Sequence, residues 1–434
     1  MSDSPFTRYS KYPNTKDDLI LSEGQLVNKR TKAPLLTIDG LPWLLNNPDL
    51  SLAKWRQQLR QFVDAHLIEI QKLENTKAAL PSTRKRMDKT LEALRYNHAA
   101  FEALLSPILQ MDGKYPEHLN LQFDLPKVHA YFQNIFRDWH WDTDENQKHL
   151  DFVVDSLGDV KFDRLFVFGA GAGRLSYDLH RRLQLTETIV SDINPLLALV
   201  ADRSFQGTPL GLYDVPDAPL NLEQVAYRSQ PTSIAKVDGL HTALCDISDN
   251  AFRSEKLQTI LTPWLIDVVN HPLETLLFQC HRLLEKGGYW INFGPLGYSD
   301  RYSTQSYRSE EIKELAEQFG FKLVASKQAI LPYMQSPVTQ SGRTEPVQCL
   351  VFEKCSDHQF RWREHQPPIW ITNIDEPIQL TSALQQKLEV AKTQYEILAA
   401  VDGKISINEL AQMMAEHYQM SEDDAVESLL SFLG

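Results

Sequence analysis

The run Arg164-Leu165-Phe166-Val167-Phe168 passes directly into Gly169-Ala170-Gly171-Ala172-Gly173-Arg174-Leu175, and a helical pattern follows at once. A strand that ends in alternating glycines and turns straight into a helix allows few folds. The glycines let the backbone reverse sharply and leave no Cβ where a nucleotide-like ligand would approach the carboxyl end of a parallel strand. Glycine spacing alone would equally suit an ordinary tight turn, so the surroundings decide. From Phe162 onward short β-like runs alternate with helical ones. In order they are RLFVFG, a helix from Arg174 to Leu183, ETIVSDI, a helix from Pro195, TALCDI, QTILTPWLI, a helix from Leu273 to Leu284, GGYWINFG, a helix from Ser309 to Phe319, KLVASKQAIL and QCLVFEK. Such alternation predicts an α/β fold with a doubly wound, mostly parallel sheet covered on both faces, the closing pair supplying an antiparallel edge.

The remainder of the 434 residues reads differently. From Leu52 to Leu109 apolar residues recur at helical spacing, predicting two long helices with a break at Pro81-Ser82, and a further helical stretch runs from His129 to Leu157. The cluster Arg84, Lys85, Arg86, Asp88 and Lys89 reads as a solvated helix face. After Lys354 the connector QPPIWITNIDEPIQL resists helix, and beyond it come a helix from Leu384 to Val401, an Asp402-Gly403 turn, a helix from Ile407 to Tyr418 opened by Ser406, and a helix from Ser421 to Phe432 capped by Ser421. The expected organisation is therefore a helical region at 1–127, an α/β domain at 128–356, a linker at 357–379 and a small helical domain at 380–434. A net charge of −13 disfavours a surface that tracks nucleic acid. Cys245, Cys280, Cys349 and Cys355 lack paired spacing and predict neither a zinc site nor a disulfide framework. Without a long apolar run or an apolar N-terminal segment, the expected address is the cytoplasm, with no membrane partner.

The strand after the glycine turn ends at Asp192, about 20 residues on, where a carboxylate can accept both ribose hydroxyls of a nucleoside. That spacing would also suit NAD. Two details favour S-adenosylmethionine: the turn is G-x-G-x-G, and Arg174 suits a carboxylate better than a pyrophosphate already held by helix amides. Further on, Cys245-Asp246-Ile247 ends another strand where Asp246 can bond an adenine amino group or cap a helix. Glu285-Lys286-Gly287-Gly288 reads as a structural helix-to-strand turn.

With these residues in place, the segment from about Val128 to Lys354 resembles the carnosine N-methyltransferase, or N2227-like, family. The resemblance rests on FRDW (Phe136 to Trp139), FGAGAGRLSYDL (Phe168 to Leu179), LIDVVNH (Leu265 to His271) and GGYWINFGPLGY (Gly287 to Tyr298). It implies a class I methyltransferase sheet of Rossmann-like form, S-adenosylmethionine as donor, no metal, and an imidazole nitrogen as acceptor. Carried over by position, it implies a donor site of Arg137, Gly169, Gly171, Gly173, Arg174, Asp192, Asp246, Ile247 and Thr262, and an acceptor site of Asp267, Tyr298 and Tyr333. Asp267 is expected to hold one imidazole N–H so that the other nitrogen faces the methyl group. Two departures stand out. Ser299 occupies the place of an expected histidine, and Ser341-Gly342-Arg343-Thr344-Glu345-Pro346 replaces an expected tyrosine-rich run. The tail from Leu380 to Leu433 is similar to the winged-helix-like PqqD family, which implies a leader-peptide partner and a ribosomal precursor peptide as the acceptor. The competing expectation is a non-catalytic peptide-binding or regulatory protein on the same fold.

Overall fold

The computed structural model describes residues 4–111, 128–232, 234–249, 251–269, 272–298, 304–339, 342–356, 380, 382–401, 404–418 and 420–433. The chain divides into two units, Met1–Pro367 and Pro368–Gly434.

The larger unit opens with α1 (Pro5–Tyr9), the hairpin β1 (Leu19–Ser22) and β2 (Gln25–Asn28), the two-residue pair β3 (Thr37–Ile38) and β4 (Leu41–Pro42), then α2 (Pro48–Asn75) and α3 (Pro81–Leu109). The four short strands are additions to the helical region expected here, since pairings of two to four residues leave no readable period. The helical stretch expected from His129 to Leu157 consists of three helices, α4 (Val128–Tyr131), α5 (Asn134–Trp139) and α6 (Glu145–Leu157). Next come β5 (Arg164–Phe168), α7 (Arg174–Arg182), β6 (Glu187–Asp192), α8 (Pro195–Phe205), the small pair β7 (Tyr213–Asp214) and β8 (Tyr227–Arg228), and β9 (Leu240–Leu244). The unit closes with β10 (Leu257–Pro263), α9 (Leu273–Leu283), β11 (Leu284–Gly294), α10 (Ser309–Gln318), β12 (Phe321–Tyr333) and β13 (Arg343–Lys354).

Among the described residues seven strands form the central sheet in the order β12-β13-β11-β10-β5-β6-β9. This is the doubly wound α/β sheet expected from the alternating strands and helices. β5 pairs in parallel with both β6 and β10, so the strand order reverses there and opens a crevice beyond their carboxyl ends. The antiparallel strand is β13, and it lies between β11 and β12 rather than at the edge, because the chain leaves β11 for the outermost position and returns through the gap. The central strands read as near-continuous apolar runs because both faces are covered. Phe166, Phe168, Ile260 and Trp290 pack with Leu276, Leu277 and Ile312 of α9 and α10. Leu165, Val167, Leu261 and Ile291 pack with Leu150, Val153 and Leu179 of α6 and α7.

Trp290 ties three strands together. It is fully buried, its ring stacks on Phe352 of β13 at 5.0 Å and 14°, and its Nε1 donates to Thr262 Oγ1 of β10 at 3.0 Å. Trp290→Ala is expected to cost about 3–5 kcal/mol through cavity formation, read as a lower urea midpoint. The N-terminal segment joins the far side of this sheet: Trp43 bridges Leu244 in parallel, the Leu44 amide donates to the Leu244 carbonyl at 2.8 Å, and the Asn46 amide donates to Asp249 Oδ2 at 2.8 Å.

The smaller unit contains α11 (Ser382–Ala400), α12 (Ile407–Tyr418) and α13 (Glu422–Leu433), with a core of Ile397, Leu410, Ala411, Ala425 and Leu429. Ser406 and Glu409 cap α12 reciprocally, and the Asp424 amide donates to Ser421 Oγ at 3.1 Å. Among its described residues there is no strand. The Asp402-Gly403 turn and the expected linker at 357–379 lie outside the described residues. Among the described residues no helix is long and apolar enough to cross a membrane.

Candidate active site

A cavity of about 810 Å³ opens at the carboxyl ends of β5, β6 and β10, at the point where the strand order reverses. Its floor is the glycine turn. Gly169 and Gly171 both have left-handed backbones, with φ of +71° and +61°. A Cβ on Gly169 would sit 2.7 Å from Leu265 Cδ1, whereas one on Gly171 would project into space bounded by Asn134 Nδ2 at 3.8 Å and Arg137 Nη2 at 4.0 Å. Gly171 therefore keeps open the part of the cavity that faces Arg137.

Asp192, at the end of β6, is fixed by that same turn. Its Oδ2 accepts the Gly171 amide at 2.8 Å and its Oδ1 the Asn194 amide at 2.8 Å. Burial pushes its pKa up to about 6, against the pull of these amides. For an acid raised in this direction, the associated stability is complete below the unfolded value, about 3.8, and is lost as pH rises through about 6. At neutral pH the fold thus holds a strained carboxylate with lone pairs toward the cavity, suited to accept hydroxyl hydrogens. Asp246 and Ile247 line the next stretch of wall, with Asp246 Oδ1 held by the Ser248 amide at 2.8 Å.

The two arginines separate. Arg137 lines the cavity; its Nε donates to Asp138 Oδ1 at 2.8 Å and its guanidinium lies 5.8 Å from the Tyr333 ring centre. Burial works against its charge, yet Asp138, Tyr333 and Glu145 hold it more firmly protonated than a free arginine. Arg174 does not line the cavity. Its Nε donates to Asp178 Oδ2 at 2.8 Å, its Nη1 to the Asp138 carbonyl at 3.2 Å, and its guanidinium lies 5.5 Å from the Trp139 ring centre. Its place as first residue of α7 turns it toward α5, so the structure gives it a bracing position. Gly173 also stands apart, since a Cβ there would meet Phe205 Cζ at 2.7 Å. Thr262 is buried within the sheet between Trp290 and Asn292. Sequence spacing could not distinguish such packing positions from ligand contacts.

On the opposite side the cavity is aromatic and charged. Trp264 stacks on Tyr333 with ring centres 4.2 Å apart, and its own left-handed backbone, φ +51°, aims it there. Asp267 follows, with Oδ2 accepting the Gly297 amide at 2.7 Å. Burial raises its pKa above the usual carboxylate range, the Gly297 amide opposes this, and the charge of Glu345 adds to it. His149 lines the same region; its Nε2 donates to the Pro332 carbonyl at 2.9 Å, and burial together with Arg137 lowers its pKa to about 4, keeping the ring neutral. Glu145 clamps the turn after Tyr333 by accepting the Met334 and Gln335 amides at 3.1 and 3.0 Å. Tyr298 does not line the cavity; it is half-buried, with a hydroxyl that has no partner among the described residues. Ser299 lies outside the described residues.

Of the residues singled out in the sequence, Arg137, Gly169, Gly171, Asp192, Asp246, Ile247, Asp267 and Tyr333 thus meet around one cavity, whereas Gly173, Arg174, Thr262 and Tyr298 do not line it. Asn134, His149, Trp264, Arg343 and Glu345 join them unannounced. Asn134 carried a signal, standing three residues before Arg137 on one helix face. Among the described residues no group of His, Cys, Asp and Glu is placed to hold a metal ion.

A doubly wound sheet with a glycine turn, an acid after the second strand and a cavity at the switch point defines an S-adenosylmethionine-dependent methyltransferase of class I. More particularly, the chain is similar to carnosine N-methyltransferases: the profile described as "Carnosine N-methyltransferase" matches residues 218–347. It is 22% identical over 292 residues to the carnosine N-methyltransferase of Mus musculus, covering 59% of this chain and 72% of that protein. It is 24% identical over 249 residues to that of Schizosaccharomyces pombe, covering 49% and 64%. Among solved structures, geranyl diphosphate C-methyltransferase from Streptomyces coelicolor A3(2) aligns with a TM-score of 0.33 and 13% identity, over 48% of this chain and 79% of that one. The family profile and the two sequence relatives favour an enzyme over a non-catalytic binding protein.

Proposed function

We propose that this methyltransferase transfers the methyl group to an imidazole nitrogen of a histidine-containing small molecule. The observation that carries this reading is the Asp267 carboxylate, anchored by the Gly297 amide beside the stacked Trp264 and Tyr333 rings. A carboxylate next to an aromatic wall suits a flat heterocycle with an N–H donor.

On the donor side, Arg137 would hold the amino-acid carboxylate of S-adenosylmethionine, Asp192 its ribose hydroxyls, Asp246 its adenine amino group and Ile247 the face of its ring, with Gly171 leaving room beside Arg137. The donor supplies a methyl group already activated on a sulfonium, so the protein's task is alignment and electrostatics. Asp267 accepts the hydrogen of one imidazole nitrogen, which orients the lone pair of the other toward the donor side of the cavity. As the ring gains positive charge, the fixed carboxylate stabilises it. Once the ring is methylated, the N–H proton can leave through Asp267, whose raised pKa makes it a better proton acceptor than an ordinary carboxylate. The stacked rings and the neutral His149 exclude water from that side.

The direct test offers histidine-containing dipeptides with and without the donor and follows donor-dependent mass gain of one methylene, with the site assigned by fragmentation. Gain on the imidazole supports the reading; gain only elsewhere, or none, overturns it. A pH prediction follows from Asp192. Hydroxyl hydrogens need its ionised form, so donor affinity is expected to fall as pH drops below about 6 and binding near that pH to release protons. Calorimetry in buffers of different ionisation enthalpy reads this directly, and Asp192→Asn should abolish the proton release.

A further inference from the structure

The mouth of the cavity carries an ion pair where the family resemblance implies tyrosines. Arg343 Nε lies 2.7 Å from Glu345 Oε1 in an ion pair, and both residues line the cavity. The two are graded in depth: the Arg343 side chain is 64% exposed and that of Glu345 23%. Strand register places Arg343 opposite Tyr333, and its guanidinium lies 4.7 Å from the centre of the Tyr333 ring. Tyr333 in turn stacks on Trp264, and the charge of Glu345 is felt at Asp267. Asp267, the aromatic pair, Glu345 and Arg343 therefore form one continuous wall from the interior to the opening.

The charge balance along this wall is unusual. The protein has a net charge of −13, and two of its carboxylates, Asp267 and Glu345, line the cavity. A substrate bearing its own carboxylate would be repelled unless a cation met it. Arg343 is such a cation, pre-positioned: the Tyr333 ring face and the Glu345 carboxylate hold the guanidinium plane, and its Nη edge has no partner among the described residues. A guanidinium fixed in this way offers parallel donors matched to a carboxylate.

We propose that Arg343 is a specificity-determining residue that binds a free carboxylate on the acceptor, with Tyr333 and Glu345 as its positioning residues. The inference rests on the acceptor reading above, since it takes the acceptor ring to sit at Asp267 with its remaining atoms toward the mouth. The acceptor class is then an imidazole compound with a free acid at the far end, and the same compound blocked as an amide is discriminated against.

The test compares a histidine-containing dipeptide with its C-terminal amide, in binding by calorimetry to the full chain saturated with S-adenosylhomocysteine and in turnover with S-adenosylmethionine. The free acid is expected to bind about tenfold or more tightly than the amide, in keeping with a charge-assisted hydrogen bond. Arg343→Gln is expected to erase that preference by raising KM for the acid, with kcat and donor affinity unchanged; Arg343→Lys should restore part of it. Equal affinity for acid and amide in the unmodified chain overturns the inference, as does an Arg343→Gln variant that retains the preference or fails to bind either compound. If the acid is preferred yet not methylated on its ring, the acceptor reading falls and the carboxylate site stands. If both are methylated equally well, the acceptor reading stands and the carboxylate site falls. If the unmodified chain binds neither, both fall.

Discussion

Asp267→Asn is expected to lower kcat by roughly 10²- to 10⁴-fold while leaving donor affinity unchanged, the range usual for removing a group that holds and neutralises a reacting centre. The substitution keeps the shape and can still accept the Gly297 amide, so the loop from Trp264 to Asp267 should keep its course. What is lost is the negative charge beside a ring that becomes positive during transfer. Single-turnover kinetics with a histidine-containing acceptor would separate that loss from any change in binding. An Asn variant that turns over normally would remove Asp267 from the mechanism. One that loses donor affinity instead would place it on the other side of the cavity.

The second large effect distinguishes two arginines that the sequence treats alike. Arg137→Leu is expected to weaken donor binding by roughly 10- to 100-fold, the usual worth of a charge-assisted contact to a carboxylate. Arg174→Leu is expected to leave donor affinity nearly intact and to lower thermal stability, because its guanidinium braces α7 against α5 through Asp178, the Asp138 carbonyl and Trp139. Titration of each variant with S-adenosylmethionine, paired with a melting curve, gives opposite signatures for the two residues. The reverse pattern would return Arg174 to the role its position beside the glycine turn first implied. Both substitutions disturb Asp138, which is 2% exposed and bonds to Arg137 through its side chain and to Arg174 through its carbonyl. The melting curve is therefore needed for each.

The sheet was legible because its strands are short, apolar and punctuated by glycines and helices, a pattern set by burial on both faces. The same local cues could not place β13, since its insertion between β11 and β12 depends on the path between distant segments. Among the cavity-lining residues, those tied to a strand end were readable: Asp192 is the last residue of β6, and Gly171, Asp246 and Asp267 follow β5, β9 and β10. Those whose direction depends on packing were not. Arg174 and Gly173 share a turn with Gly171 and yet face α5 and α8, while His149 and Glu145 enter from a helix whose sequence reads as plain amphipathic structure. Arg343 and Glu345 registered only as the absence of an expected motif, and their use emerged from the strand register that sets Arg343 against Tyr333.

The pairing of Trp43 and Leu44 with Leu244 bears on how the molecule behaves in a crowded solution. β9 is the last strand of the sheet, and an uncovered last strand offers a row of free amides and carbonyls to any other chain with the same pattern. Here that row is met by the protein's own backbone, through the bond from the Leu44 amide to the Leu244 carbonyl, with the fully buried Trp43 ring wedged beside it and Asn46 fastened to Asp249. The segment from Trp43 to Asn46 thus covers the end of this last strand. Shortening the chain past Asn46 would leave the cavity residues in place on paper, but it would open an edge at which neighbouring molecules could zip together.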